Sequence, residues 1–220
     1  MTQKKYDFGM IGLGTMGRNL LLNMADSGFK VSGYDKNPEM VSKLEKEAEG
    51  IDVEAFCDLG AFIKGLNTPR ALMMLVPAGP IVDDVIESLL PYLDEGDLLI
   101  DGGNSYFEDT DRRVSYLQPK NIHFFGVGIS GGSEGARKGP SMMPGGDKNA
   151  YNVVKNIFEA VSAKVDNTPC VTFLGPGASG HFVKMVHNGI EYGLMQIIAE
   201  VYGLMRGPME MDNDQIQQAF

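Results

Sequence analysis

Tyr6-Asp7-Phe8-Gly9-Met10-Ile11-Gly12-Leu13-Gly14-Thr15-Met16-Gly17 reads as a short apolar strand that runs into a G-x-G-x-x-G turn. Leu20, Leu21 and Met24 then recur at helical spacing through Asn19 to Ser27, and Gly28 is placed to end that helix. Lys30-Val31-Ser32-Gly33-Tyr34 is the next strand, and it closes on Asp35, 23 residues after Gly12. Strand, glycine turn, helix, strand and acid, in this order, predict a βαβ unit that holds a dinucleotide. Gly12 permits the tight turn, Gly14 lets the backbone approach a pyrophosphate, and Gly17 lets helix and strand pack closely. The helix N-terminus supplies amides and a positive dipole end to the phosphates.

Working outward, strand and helix keep alternating. Helices are expected over Pro38 to Ala48, with Asn37 as the cap and Pro38 at the first position, and over Asp58 to Leu66. Arg70 to Val76 is a continuous apolar run of the kind found in central parallel strands. Helices Ile81 to Leu93, Phe107 to Leu117 and Asn149 to Ala163 alternate with strands Asp97 to Ile100, Asn121 to Val127 and Cys170 to Leu174, and Gly139 to Gly146 is a further short strand. The pattern predicts an α/β fold, a doubly wound, Rossmann-type, mainly parallel sheet over 1–178. A long helix from Gly180 then begins an all-helical part over 179–220, with a last helix over Met211 to Phe220 capped by Asp212 or Asn213. The loops after Ile11, Tyr34, Val76, Ile100 and Val127 should open on one edge of the sheet, where ligands collect.

Three further stretches carry chemistry. Asp101-Gly102-Gly103-Asn104-Ser105 offers close backbone approach and an amide that both donates and accepts. Gly128-Ile129-Ser130-Gly131-Gly132-Ser133-Glu134-Gly135-Ala136 reads as a glycine loop able to nest an anion. In the long helix, Lys184, His187, Asn188, Glu191 and Tyr192 recur at spacings that share one face. Lys184 and Glu191 are seven residues apart, roughly 10 Å along the axis, which leaves room for a small substrate between a base and an acid. Asp35 can accept hydrogen bonds from a ribose 2′-hydroxyl and would repel a 2′-phosphate, so NAD is expected, with NADP left open through Lys36.

Composition bounds the rest. The 220 residues suit one large domain or one and a half, and the formal net charge of −10 argues against nucleic acid and anionic membranes as partners. There is no apolar run long enough for a membrane helix, and Met1 to Tyr6 shows no signal-peptide apolar region. Cys57 and Cys170, far apart, are expected as reduced thiols in a cytoplasmic protein. His123, His181 and His187 have no zinc-ligand spacing, so no metal is expected.

On Asp101 to Ser105, Gly126 to Gly146 and Gly180 to Tyr192, the chain resembles the N-terminal part of the 6-phosphogluconate dehydrogenase family, from about Tyr6 to Tyr202. The Ser130-Gly131-Gly132 loop and the lysine also occur in the related β-hydroxyacid dehydrogenases, but Gly139 to Gly146 and Lys184 to Tyr192 look like the 6-phosphogluconate branch. The resemblance implies oxidative decarboxylation of 6-phosphogluconate to ribulose 5-phosphate and CO2 with reduction of NAD or NADP. It implies Lys184 as general base toward the C3 hydroxyl and Glu191 as the acid that protonates C1. It places Asn104, Ser130, Gly131, Gly132, His187, Asn188 and Tyr192 on the substrate. It places Gly12, Leu13, Gly14, Thr15, Met16, Gly17, Asp35, Lys36, Asn37, Val76, Pro77, Ala78 and Asn104 on the cofactor. The family's NADP-type pattern has Asn-Arg-Thr where this chain has Asp35-Lys36-Asn37, and lysine where it has Pro77; both departures favour NAD. Family members also continue into a large helical domain that grips the substrate phosphate, so this chain is expected to be incomplete for turnover. Its helix from Gly180 is expected to find a partner, giving a homodimer or higher oligomer. The other readings are a β-hydroxyacid dehydrogenase acting on a smaller acid, and a non-catalytic dinucleotide-binding module.

Overall fold

The computed structural model describes residues 5–220; the reading of Met1 to Lys4 lies outside them. The chain forms two compact units, Met1–Lys184 and Met185–Phe220.

In the first unit, β1 (Phe8–Ile11), α1 (Thr15–Asp26), β2 (Val31–Tyr34), α2 (Pro38–Glu47), β3 (Val53–Phe56), α3 (Leu59–Lys64), β4 (Ala71–Met74) and α4 (Pro80–Leu89) follow one another. They are succeeded by β5 (Leu98–Asp101), α5 (Phe107–Leu117), β6 (His123–Ser130), α6 (Gly132–Lys138), β7 (Ser141–Gly145) and α7 (Lys148–Val161). A two-stranded hairpin, β8 (Lys164–Val165) and β9 (Thr168–Pro169), precedes α8 (Ser179–Arg206). The sheet order is β3-β2-β1-β4-β5-β6-β7, parallel except for the β6–β7 pair. The order reverses between β1 and β4, and that switch point is where open α/β sheets hold ligands.

The strands are apolar on both faces because both faces are covered. Ala71, Met73, Leu98, Ile100 and Phe125 point into one core with Leu20, Leu21, Leu44, Val154 and Phe158. Their neighbours Leu72, Met74, Leu99 and Phe124 point into the other with Phe62, Val82, Ile86 and Leu117. This period of two is the pleat itself. Asn37 caps α2 as expected, accepting from the Glu39 amide at 3.0 Å, with Pro38 at the first turn.

Four readings change. β3 was not expected: it is a four-residue edge strand with intermediate exposure, so the apolar run that betrays a central strand is missing. Gly128-Ile129-Ser130 is not loop but the end of β6, extended three residues beyond Val127 by its antiparallel pairing with β7, and Gly132 to Lys138 is helix α6. Asp101 is the last residue of β5 and fully buried. Cys170 to Leu174 is no regular strand; it runs along β7 through single contacts, such as Leu174 N to the Pro144 carbonyl at 2.9 Å and Met142 N to the Cys170 carbonyl at 3.0 Å. Pro144 has no N–H to continue a ladder there.

The second unit holds the rest of α8 and α9 (Asn213–Ala219). Asp212 caps α9 in a reciprocal box with Gln215. No helix among the described residues is long and apolar enough to cross a membrane.

Candidate active site

The glycine turn after β1 has the geometry its sequence requires. Gly12 has φ +90, and a Cβ there would lie 2.5 Å from the Leu75 carbonyl oxygen. A Cβ on Gly17 would lie 1.9 Å from the Gly12 carbonyl oxygen, so only glycine lets α1 start this close to the strand. Above Gly14 the space is open, and no side chain caps the N-terminus of α1. The unsatisfied first-turn amides of α1 therefore face open space, which suits a pyrophosphate.

Around that turn lies a cavity of about 630 Å³ lined by Gly12, Gly14, Tyr34, Asp35, Lys36, Val76, Pro77, Ile81 and Val85, among others. Asp35 stands at its edge with Oδ2 accepting from Leu13 N at 2.8 Å and Oδ1 from Asn37 N at 2.9 Å. The carboxylate therefore braces the turn as well as facing the cavity. Tyr34 stacks on Phe62 at 5.7 Å between ring centres. Burial, with the Asp35 charge beside it, raises the Tyr34 pKa, so the phenol stays neutral. Lys36, Asn37, Pro77 and Ala78 are exposed. The residues present thus fit a dinucleotide: a cradle without side chains for the phosphates, and an apolar slot with a carboxylate at its rim.

The second half of the candidate site lies along β5 and β6. Asn104 is exposed in the turn after β5, while Asp101 and Ser105 on either side of it are buried. Ser130 ends β6, and Gly131, at φ +127, starts the turn into α6. The first turns of α8 pack directly on β6. A Cβ on Gly126 would fall 2.6 Å from His181 Nδ1, and one on Gly128 would fall 2.5 Å from Lys184 Cβ. Lys184 is 7% exposed, seated on β6 two residues before Ser130.

His181 is buried, with Nδ1 2.7 Å from Thr110 Oγ1. Burial lowers its pKa, while the nearby Asp101 carboxylate and main-chain carbonyls oppose that fall. In the second unit, His187 Nδ1 lies 3.1 Å from Asn188 Oδ1 and 3.7 Å from Glu191 Oε2; Glu191 and Tyr192 are exposed.

The sequence reading missed the groups beneath these loops. Gly128 looked like a loop glycine, yet with Gly126 of the expected strand it forms the flat patch that admits α8. Arg113, Thr110 and His181 are buried polar groups, with Asp83 half-buried beside Arg113, and their partners lie up to 71 residues apart, so no local spacing announces them. The Arg113 guanidinium pulls the Asp83 carboxyl down to about 2.

Comparison with known proteins supplies the family. The family described as the NAD binding domain of 6-phosphogluconate dehydrogenase matches residues 7–175, and that of the enzyme's C-terminal domain matches residues 180–220. The chain is 49% identical over 215 residues to the decarboxylating 6-phosphogluconate dehydrogenase of Chlamydia muridarum, covering 97% of this chain and 45% of that one. It is 48% identical over 216 residues to the NADP(+)-dependent, decarboxylating enzyme of Bacillus subtilis, covering 98% and 46%. The solved 6-phosphogluconate dehydrogenase of Plasmodium falciparum, described in apo form and in complexes with its cofactor NADP+ and its substrate 6-phosphogluconate, superposes with a TM-score of 0.92. It is 43% identical and covers 96% of this chain and 46% of that one. The chain thus spans a little under half the length of these relatives. A Salmonella typhimurium 3-hydroxyisobutyrate dehydrogenase shares the fold at a TM-score of 0.74 and 22% identity. Two of these relatives carry NADP in their descriptions. This chain belongs to the 6-phosphogluconate dehydrogenase family.

Proposed function

We propose that this chain is the dinucleotide-binding part, with the start of the helical part, of an enzyme that converts 6-phosphogluconate to ribulose 5-phosphate and CO2. The bound dinucleotide supplies the hydride acceptor. Lys184 takes the C3 hydroxyl proton as the hydride leaves, and its ammonium form then polarises the 3-keto oxygen while the carboxylate departs as CO2. Glu191 returns a proton to C1. Asn104, Ser130, Gly131, Gly132, His187, Asn188 and Tyr192 orient the substrate. The observation that carries this reading is Lys184. It is a buried lysine seated on a side-chain-free patch of β6, two residues before Ser130-Gly131-Gly132. A general base must sit within hydrogen-bond reach of its proton, and this seat brings Lys184 beside the turn that is proposed to hold the substrate.

For the cofactor, the relatives' descriptions favour NADP, with Lys36 as the cation at the cavity rim. A second reading, NAD, is favoured by Asp35, which places a carboxylate on the same rim, and by Pro77. Calorimetric titration of the chain with NADP and NAD side by side separates them. Tighter NADP binding supports the first, tighter NAD binding the second, and binding of neither overturns the dinucleotide site itself. Turnover by this chain alone is expected to be low, because binding energy from remote substrate groups drives kcat; a rate near an ordinary enzyme's, about 10 per second, would refute that. The exposed apolar face of α8 is proposed to associate with a second copy.

A further inference from the structure

Arg113, in the middle of α5, is 1% exposed, and its guanidinium makes four hydrogen bonds and one longer ion-pair contact. Nε donates to Asp83 Oδ1 at 2.9 Å, and Nη2 donates to Asp83 Oδ2 at 3.1 Å and to the Gly79 carbonyl at 3.0 Å. Nη1 lies 3.4 Å from Ser105 Oγ and 3.5 Å from Asp101 Oδ2. Asp101 in turn accepts from Ser105 Oγ at 2.5 Å and from Gly103 N at 2.9 Å. One guanidinium therefore grips two loops. Gly79 closes the turn that carries Val76, Pro77 and Ala78 after β4. Asp101, Gly103 and Ser105 frame Asn104 after β5. Neither loop has direct hydrogen bonds to the other among those described, beyond Gly102 N to the Met74 carbonyl where the strands still pair.

We propose that Arg113 is a positioning residue that sets the spacing of the two loops flanking the dinucleotide site, by holding the Gly79 carbonyl and the Asp101–Ser105 turn in one planar fork. This rests on the dinucleotide reading above. Fork geometry is what the site uses: a lysine there would keep the charge but present a point with three donors, too few and wrongly directed for Asp83, Gly79, Ser105 and Asp101 together. Arg113 touches neither loop's outward face, so it acts through Val76 to Ala78 and through Asn104.

The test compares R113K and D83N with a control, V154A, a core change in α7 on the other face of the sheet. Two quantities are read on this chain: amide exchange in residues 76–80 and 101–105 without ligand, and the dissociation constant for NADP and for NAD. In R113K both segments should exchange at least about tenfold faster, and dinucleotide binding should weaken by about tenfold, as expected for losing a charge-assisted hydrogen bond. D83N should speed exchange in both 76–80 and 101–105, because Asp83 holds the guanidinium that reaches both; it also serves if R113K does not fold. V154A, at a matched loss of thermal stability, should move neither segment selectively. The proposal is overturned if R113K behaves as V154A does, or if D83N leaves 101–105 unchanged. Should the unaltered chain bind neither dinucleotide, the functional reading fails, while the exchange data still decide whether Arg113 couples the loops.

Discussion

The two units use the same kinds of residue to opposite effect. In Met1–Lys184 the apolar side chains of each strand disappear into one core or the other, and the helices turn an apolar stripe inward. In Met185–Phe220, Ile190, Leu194, Met195, Ile197, Ile198 and Leu204 are all more than half exposed, and Ile216 is the apolar side chain classed as buried among the described residues. The first unit accounts for its own fold by burial. The second is held by helix hydrogen bonds and caps, with its apolar side chains left on the surface.

The sharpest way to break this contrast is Gly17→Val. Its side chain would have to occupy the space of the Gly12 carbonyl, so the first unit should lose more than about 3 kcal/mol and all dinucleotide binding. Urea unfolding and calorimetry read both; retained binding would mean the turn relaxes freely. Next comes a matched pair. Phe158→Ala, fully buried in α7, should cost about 3–5 kcal/mol, while Ile197→Ser should change urea stability by about 0.5 kcal/mol or less. Similar losses from both would show that the second unit is as tightly packed as the first.

Acid should act on the first unit. Asp83 is held at about 2 by Arg113, below the ordinary carboxylate value, so its contribution is complete above about pH 4 and disappears as pH falls towards 2. The urea midpoint should fall more steeply through that window in the native chain than in D83N; parallel curves would count against the pair. The smallest effect is expected from Asp212→Ala, which removes one side of the α9 capping box and should cost about 1 kcal/mol, seen as lost helical circular dichroism without a shift in the first unit's midpoint.

These contrasts also explain what the sequence could tell. The turn at Gly12 to Gly17 was legible because every requirement is local: a strand before, a helix after, glycine where a Cβ has no room. The long helix that carries Lys184 was legible for the same reason, since helix spacing is local. The end of β6 was misread because Gly128 reads as a loop glycine, and the role of Gly126 and Gly128 in admitting His181 and Lys184 depends on a helix more than 50 residues later. Arg113 was invisible because its partners lie on α4 and β5, and their identity as partners exists only once the sheet is built. Helical spacing in α8 was read correctly, but spacing alone says nothing about what covers an apolar face.

The sheet has two outer strands, and they are finished differently. Along β7, the 170–175 segment runs beside the outer backbone and takes up several of its hydrogen bonds, while Pro144 withholds a donor. Along β3 there is no such neighbour among the described residues, but the strand is four residues long and carries Glu54, whose carboxylate accepts from the Tyr6 hydroxyl. A short strand with a fixed negative charge is a poor template for a second copy's backbone. The sheet therefore resists growth by strand addition at both ends, one by being already paired and the other by charge.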